Sequence, residues 1–143
     1  MNAQALRLIK KFEAHSLHVY RCPAGYPTIG WGHRLRPHEQ WTSLTMAETD
    51  ALLRHDLSQC ERVLTHLVDV PLMPHQEAAL LSFVYNVGAG AFQRSVLRMK
   101  VNRAEHIEVP AEFNRWVWAK GRKLPGLMIR RALEAACYEG ARV

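Results

Sequence analysis

Apolar side chains recur at helical spacing over most of this chain and alternate over one short stretch near its start. Ala5, Leu8, Ile9 and Phe12 fall at i, i+3, i+4 and i+7, which predicts an amphipathic helix from about Ala3 to Ala14. Leu17 and Val19, then Thr28, Ile29 and Trp31, predict two short strands, with Cys22-Pro23-Ala24-Gly25-Tyr26-Pro27 as the turn between them. Residues 34–44 read as a loop with room for a third short strand. Thr45-Met46-Ala47-Glu48 is a capping box that opens a long helix to about Val68. Pro74 introduces a helix from His75 to Tyr85, with Ala79, Leu80, Phe83 and Val84 as its apolar face and Gly88 and Gly90 as its stop. Short helices are expected around Ala91–Ser95 and Arg98–Asn102. A longer one runs from Pro110 to about Ala119, and a last one from Pro125 or Gly126 to about Tyr138, ended by Gly140. The class is α+β, mainly helical, with a small hairpin sheet near the N-terminus.

Length and composition narrow this picture. A chain of 143 residues makes one domain, 1–143, able to bury roughly 68–70% of its unfolded surface. Hydrophobic content of 48% and charged content of 22% are globular values, and there is no internal repeat or flexible linker. No run of about 18 apolar residues is present, so no stable membrane insertion is expected. Arg7, Lys10, Lys11 and Glu13 interrupt the first apolar segment, which is not the pattern of a signal peptide.

Cysteines at 22, 60 and 137 fit no disulfide framework. Cys60 lies on the stripe Leu53, Leu57, Leu64, Leu67, and Cys137 follows Ile129, Leu133 and Ala136, so both read as small buried hydrophobes. Cys22, among turn residues, does not. The net charge of +6 suits a polyanion, whether nucleic acid, anionic membrane or cell wall. Basic residues are scattered apart from Lys120-Gly121-Arg122-Lys123 and Arg130-Arg131, and nothing beyond charge points to nucleic acid. Eight histidines offer no His-x3-His pair and the cysteines no Cys-x2-Cys pair, so no metal site is expected.

The chemistry concentrates between Glu13 and His33. A carboxylic acid closes the first helix, a thiol follows nine residues later and a hydroxyl six after that. The hairpin brings Glu13, Cys22 and Thr28 together between a helix end and a sheet. Glycoside hydrolysis needs an acid and a second group arranged in this way, the second group ordinarily being another carboxylate. The C-terminal end of a helix disfavours a negative charge, and burial adds to that, so both push Glu13 toward holding a proton. Gly30 and Gly32 flank Trp31, where a missing side chain lets backbone or sugar approach closely.

Glu13, eight residues, Cys22, five residues, Thr28, then Ile29-Gly30-Trp31-Gly32-His33 resembles the phage-type lysozymes, the endolysin family of muramidases (glycoside hydrolase family 24). Two further blocks resemble it: Phe83 to Phe92 followed by Ser95, and Trp116 to Leu127 followed by Arg130, Arg131 and Glu134. The resemblance implies a small N-terminal lobe (residues 13–45) joined by a long helix to a larger helical lobe, with a cleft between them. It implies hydrolysis of the β-1,4 bond between N-acetylmuramic acid and N-acetylglucosamine in bacterial peptidoglycan, a reaction that needs no cofactor. Glu13 is then the proton donor, and Cys22 and Thr28 manage the attacking water. Cys22 stands where the family has Asp or Cys, and its work as base, water orienter or nucleophile stays open. Gly30, Trp31 and Asn86 are expected to bind substrate, Asn86 through an N-acetyl group or else as a helix C-cap. His33 and Asp56 form a structural pair. One of Arg130 and Arg131 faces the cleft. Trp116, Trp118 and Tyr85, at helical spacing, read as core. The resemblance also implies a monomer that waits in the host cytoplasm for holin-dependent release.

Two other functions fit parts of this pattern. The first is a catalytically weak or inactive peptidoglycan-binding protein of the same fold. The second is a peptidase pairing Cys22 with His15, His18 or His33. The first would fail to clear a peptidoglycan suspension, and the second would release free amines instead of reducing sugars.

Overall fold

The computed structural model describes residues 1–143. Helix α1 (Ala3–Phe12) is capped by Asn2, whose side chain accepts from Ala5 N–H, and buries Ala5, Leu8 and Ile9. The chain then enters an antiparallel sheet of β1 (His15–Arg21), β2 (Pro27–Trp31) and β3 (His33–Arg34), in the order β1-β2-β3. Register pairs His15 with Trp31 and Tyr20 with Thr28, with an irregularity between Ser16 and Tyr20. A bridge from His18 to Ser43 lays the following loop along the outer edge.

Helix α2 (Met46–Leu67) starts on the capping box, with Thr45 and Glu48 satisfying each other's backbone N–H groups. Helix α3 (Pro74–Val87) is the centre of the molecule. Every residue from Ala78 to Val84 is buried, because α1, α2 and α7 (Pro125–Tyr138) pack round it. Phe83 stands edge-on to Phe92, Phe113 and Trp116, with ring centroids 5.4–6.4 Å apart. Burying side chains of this size contributes about 1.5–3 kcal/mol each. Helices α4 (Ala89–Gln93), α5 (Val96–Asn102) and α6 (Val109–Phe113) close that side of the core.

Three expectations from the sequence need correction. The helix beginning near Pro110 stops at Phe113, and the chain forms a hairpin of β4 (Trp118–Ala119) and β5 (Arg122–Lys123). Its turn places Lys120 at φ 52° and Gly121 at φ 79°, the left-handed pair that a two-residue hairpin needs. Trp118 is accordingly 59% exposed and carries Lys123 over its ring, while Trp116 packs on Phe83 as core. Gly88, at φ 90°, ends α3, but Gly90 lies inside α4 and stops nothing. Cys60 is half-buried at the rim of the core, whereas Cys137 is fully buried.

Candidate active site

Glu13 is the C-cap of α1. Its N–H still bonds to Ile9 O at 3.0 Å, but its own backbone is extended and turns the chain into β1. The side chain therefore leaves the helix beside the β2–β3 corner. Gly32, at φ 81°, makes the room: a Cβ there would lie 2.5 Å from Glu13 Oε2. On the far side Arg130 Nη1 donates to Glu13 Oε1 at 2.8 Å. The acid is thus fixed by a helix end, a glycine and a guanidinium from the last helix.

Cys22 follows β1, in a turn closed by Gly25 N–H donating to Cys22 O at 2.7 Å and Cys22 N–H donating to Tyr26 O at 3.0 Å. Tyr20 and Thr28 are cross-strand partners and Cys22 lies two residues after Tyr20, so all three share one face of the hairpin. Thr28 is buried and its hydroxyl donates to Tyr26 O at 2.9 Å. Burial raises the Cys22 thiol, but backbone groups of Tyr26 and Ala24, the Thr28 hydroxyl and the charge of Arg34 outweigh it and leave the thiol below its ordinary value. The cation that assists is Arg34 across the sheet. Arg21, the neighbour in sequence, instead donates to Gly25 O at 2.8 Å and braces the turn. Tyr20 is raised by burial, then by the charges of Glu13 and Cys22. Nothing in the sequence pattern marked Tyr20 beyond its alternation with Cys22.

His33 Nδ1 lies 2.7 Å from Asp56 Oδ2, joining the sheet to α2. Its Nε2 lies 2.9 Å from Glu39 Oε1, a second carboxylate that the sequence did not indicate. An acceptor at each nitrogen favours the imidazolium form, and although burial lowers the pKa of His33, Asp56 and Glu39 raise it further, to a net rise. Trp31 points toward α2: its Nε1 donates to Asp50 at 3.1 Å, Lys10 lies over the ring, and His15 stacks on it at 4.3 Å. A Cβ on Gly30 would touch Thr49 of α2 at 3.4 Å, so the close approach there is by a helix. His15 Nε2 meets the Thr49 hydroxyl at 3.0 Å, which with the His33 pairs leaves neither histidine bonded to Cys22.

Both arginines of α7 are buried, and Arg130 is the one that reaches Glu13. Its Nε donates to Glu134 at 3.3 Å and its Nη2 to Ser82 O at 3.1 Å. Arg131 lies over the Phe83 ring, with its Nε 3.1 Å from Glu134 Oε1 and its Nη2 on Asn86 Oδ1. Burial, opposed by Glu134, brings Arg131 down to about 10, so it stays charged at neutral pH. Asn86 is held by Arg131 and is not the cap of α3, a place taken by Gly88. No three His, Cys, Asp or Glu side chains converge as a metal site would require.

A mainly helical α+β scaffold with a carboxylate at the end of its first helix, next to a small hairpin sheet that carries a thiol and a hydroxyl, is the architecture of a lysozyme-like glycoside hydrolase. The phage lysozyme family model matches residues 10–134, which span all of these groups, and the chain belongs to that family of peptidoglycan-hydrolysing enzymes. It is 37% identical, over 99% of both chains, to the endolysin of Acyrthosiphon pisum secondary endosymbiont phage 1. It is 39% identical over 83% of its length, and 69% of the relative's, to the SAR-endolysin of Escherichia phage Mu. Among solved structures, the muramidase domain of SpmX from Asticaccaulis excentricus superposes with a TM-score of 0.86 over 97% of each chain, at 31% identity. These likenesses do not favour an inactive wall-binding protein. No helix of the chain is long and apolar enough to cross a membrane.

Proposed function

We propose that Glu13 protonates the leaving oxygen of the glycan bond while Cys22 and Thr28 direct water at the opposite face of the sugar. The observation that carries this is the Glu13 carboxylate held by Arg130 and Gly32 at the end of the same small sheet in which Thr28 pairs with Tyr20, two residues before Cys22. In this reaction the C1–O bond to the leaving sugar breaks as a C1–O bond to water forms. The proton of Glu13 goes to the leaving oxygen, and a proton of the water goes to the Cys22 thiolate. Solvent exchange then restores both groups. The lowered thiol favours that base role at neutral pH. Asn86, braced by Arg131, is the candidate to bind an N-acetyl group. Trp31 and Gly30 serve the site through α2, by fixing the corner that carries Gly32.

The stereochemistry of the first product tests this. Attack by water on the far face inverts the anomeric carbon, so a β-linked glycan gives an α-reducing end, visible by proton NMR before mutarotation. A β-product would assign Cys22 a covalent role or none. We further take the enzyme to act as a monomer and to reach the wall through a holin. Cells producing it without a holin should remain intact until their membrane is permeabilised. Lysis without that step would reject the route.

A further inference from the structure

Arg130 is shared between two carboxylates. Its Nη1 lies 2.8 Å from Glu13 and its Nε 3.3 Å from Glu134, which is fully buried. Glu134 is fixed in turn by the Ser82 hydroxyl, which donates at 2.5 Å, and by Arg131 at 3.1 Å. The four side chains form a row of alternating charge, Glu13–Arg130–Glu134–Arg131, from the reacting carboxylate into the core. We propose that Glu134 is a positioning residue for hydrolysis: it holds Arg130 back and takes up part of its charge, so that Glu13 retains the proton it must donate. This rests on the reading of Glu13 as the acid.

The electrostatics follow from what faces each group. Arg130 of α7 is the cation paired with Glu13. Tyr20 of β1 and Tyr85 of α3 feel the charge of Glu13, but burial raises both phenols, so they stay neutral near pH 7. A carboxylate beside one uncompensated guanidinium is held well below its ordinary range, which is the wrong direction for a general acid. Glu134 supplies the compensation from a low-dielectric position, where its pull on Arg130 is strong. Burial lifts Glu134 above its ordinary range, with Arg131, Arg130 and the Ser82 hydroxyl pulling against that. The two guanidiniums in contact with it favour its charged form. Arg131 competes for Glu134: its Nη1 has no hydrogen-bond partner and its Nε is not aligned as a hydrogen bond to Oε1, so the ion pair to Glu134 is its main compensation. Cys137, also near Glu134, is pushed up to about 11 and stays neutral.

The two neighbours of Arg130 and Glu134 therefore have opposite leverage. Glu134→Gln leaves the whole charge of Arg130 on Glu13, and Arg131→Gln leaves the whole charge of Glu134 on Arg130. The test is a carbon-13 NMR titration of the Glu13 carboxyl beside the pH profile of kcat/KM on peptidoglycan, in the wild type and both variants. In Glu134→Gln the Glu13 midpoint and the alkaline limb should both fall by about one pH unit, with about tenfold less activity above the limb. In Arg131→Gln both should rise. A merely structural role would lower activity at every pH and leave the limb in place. Glu13 midpoints that coincide in all three proteins overturn the proposal. Midpoints that move without the limb uphold the coupling and reject Glu13 as the acid. If Glu134→Gln fails to fold, the upward movement in Arg131→Gln decides alone.

Discussion

Gly32 and the Glu13 carboxylate occupy space that no third atom can enter, since a Cβ on Gly32 would lie 2.5 Å from Oε2 and 3.0 Å from the carboxyl carbon. Gly25, in the β1–β2 turn, has a similar φ of 88° but nothing within 4 Å. Alanine at either position suffers left-handed strain of about 1–2 kcal/mol. Gly25→Ala should cost that in thermal or urea unfolding and keep its lytic activity. Gly32→Ala should cost more and lose at least tenfold in turbidity assays, because the carboxylate must move. Equal activity in the two variants would separate Glu13 from the chemistry.

The His33 cluster sets a pH dependence of stability. Asp56 and Glu39 raise the folded-state value of His33 above its unfolded value near 6.5, against the effect of burial. The contribution of a group with a raised folded pKa is fully present below the unfolded value and is lost as pH rises through the folded value. Asp56→Asn should therefore destabilise by about 2–4 kcal/mol at pH 5–6 and by less toward alkaline pH. Urea unfolding at several pH values measures this, and a penalty that grows with pH would disprove the pairing. Glu39→Gln should show the same trend, since Glu39 occupies the other nitrogen.

Cys22 should be the reactive thiol. Its value is lowered by the turn and by Arg34, while burial pushes Cys137 up to about 11 and Cys60 up to about 12. One equivalent of an alkylating reagent at neutral pH should label Cys22, by mass spectrometry, and abolish lysis. Cys22→Asp should resist the reagent and extend activity to lower pH, and Cys22→Ser should be weaker than wild type. Full activity in Cys22→Ala would leave Thr28 to hold the water without a base.

Trp116 and Trp118 should behave as opposites. Trp116 stands edge-on to Phe83 at 5.4 Å, so Trp116→Ala should cost about 2–4 kcal/mol in chemical unfolding. Trp118 is exposed on the hairpin, so Trp118→Ala should fall within about 0.5 kcal/mol of wild type. Equal losses would place Trp118 in the core after all.

What the sequence made legible was local. The Glu13–Cys22–Thr28 spacing sits within one helix end and one hairpin, so period and turn residues place all three. The capping box at Thr45 and the apolar face of α3 are equally short-range. The arrangement round them is not. Arg130 meets Glu13 across 117 positions, and nothing in the pattern distinguishes it from Arg131. Glu39 reaches His33 from a loop without periodicity, and the charge of Arg34 acts on Cys22 from a different strand of the sheet. The misread segment, 114–124, has tryptophans whose spacing suits a helix, while Lys120-Gly121 at positive φ turns the chain back. There the backbone turn overrode the side-chain period.

The most direct measurement is lysis by folded Glu13→Gln. The amide keeps the shape and the contact with Arg130 but has no acidic proton to give to the leaving oxygen. Circular dichroism and a Tm near wild type should accompany a loss of peptidoglycan hydrolysis of at least a hundredfold, read as reducing sugar released. Activity above a tenth of wild type in that folded variant would mean that another group protonates the glycan bond, and that Glu13 serves the fold.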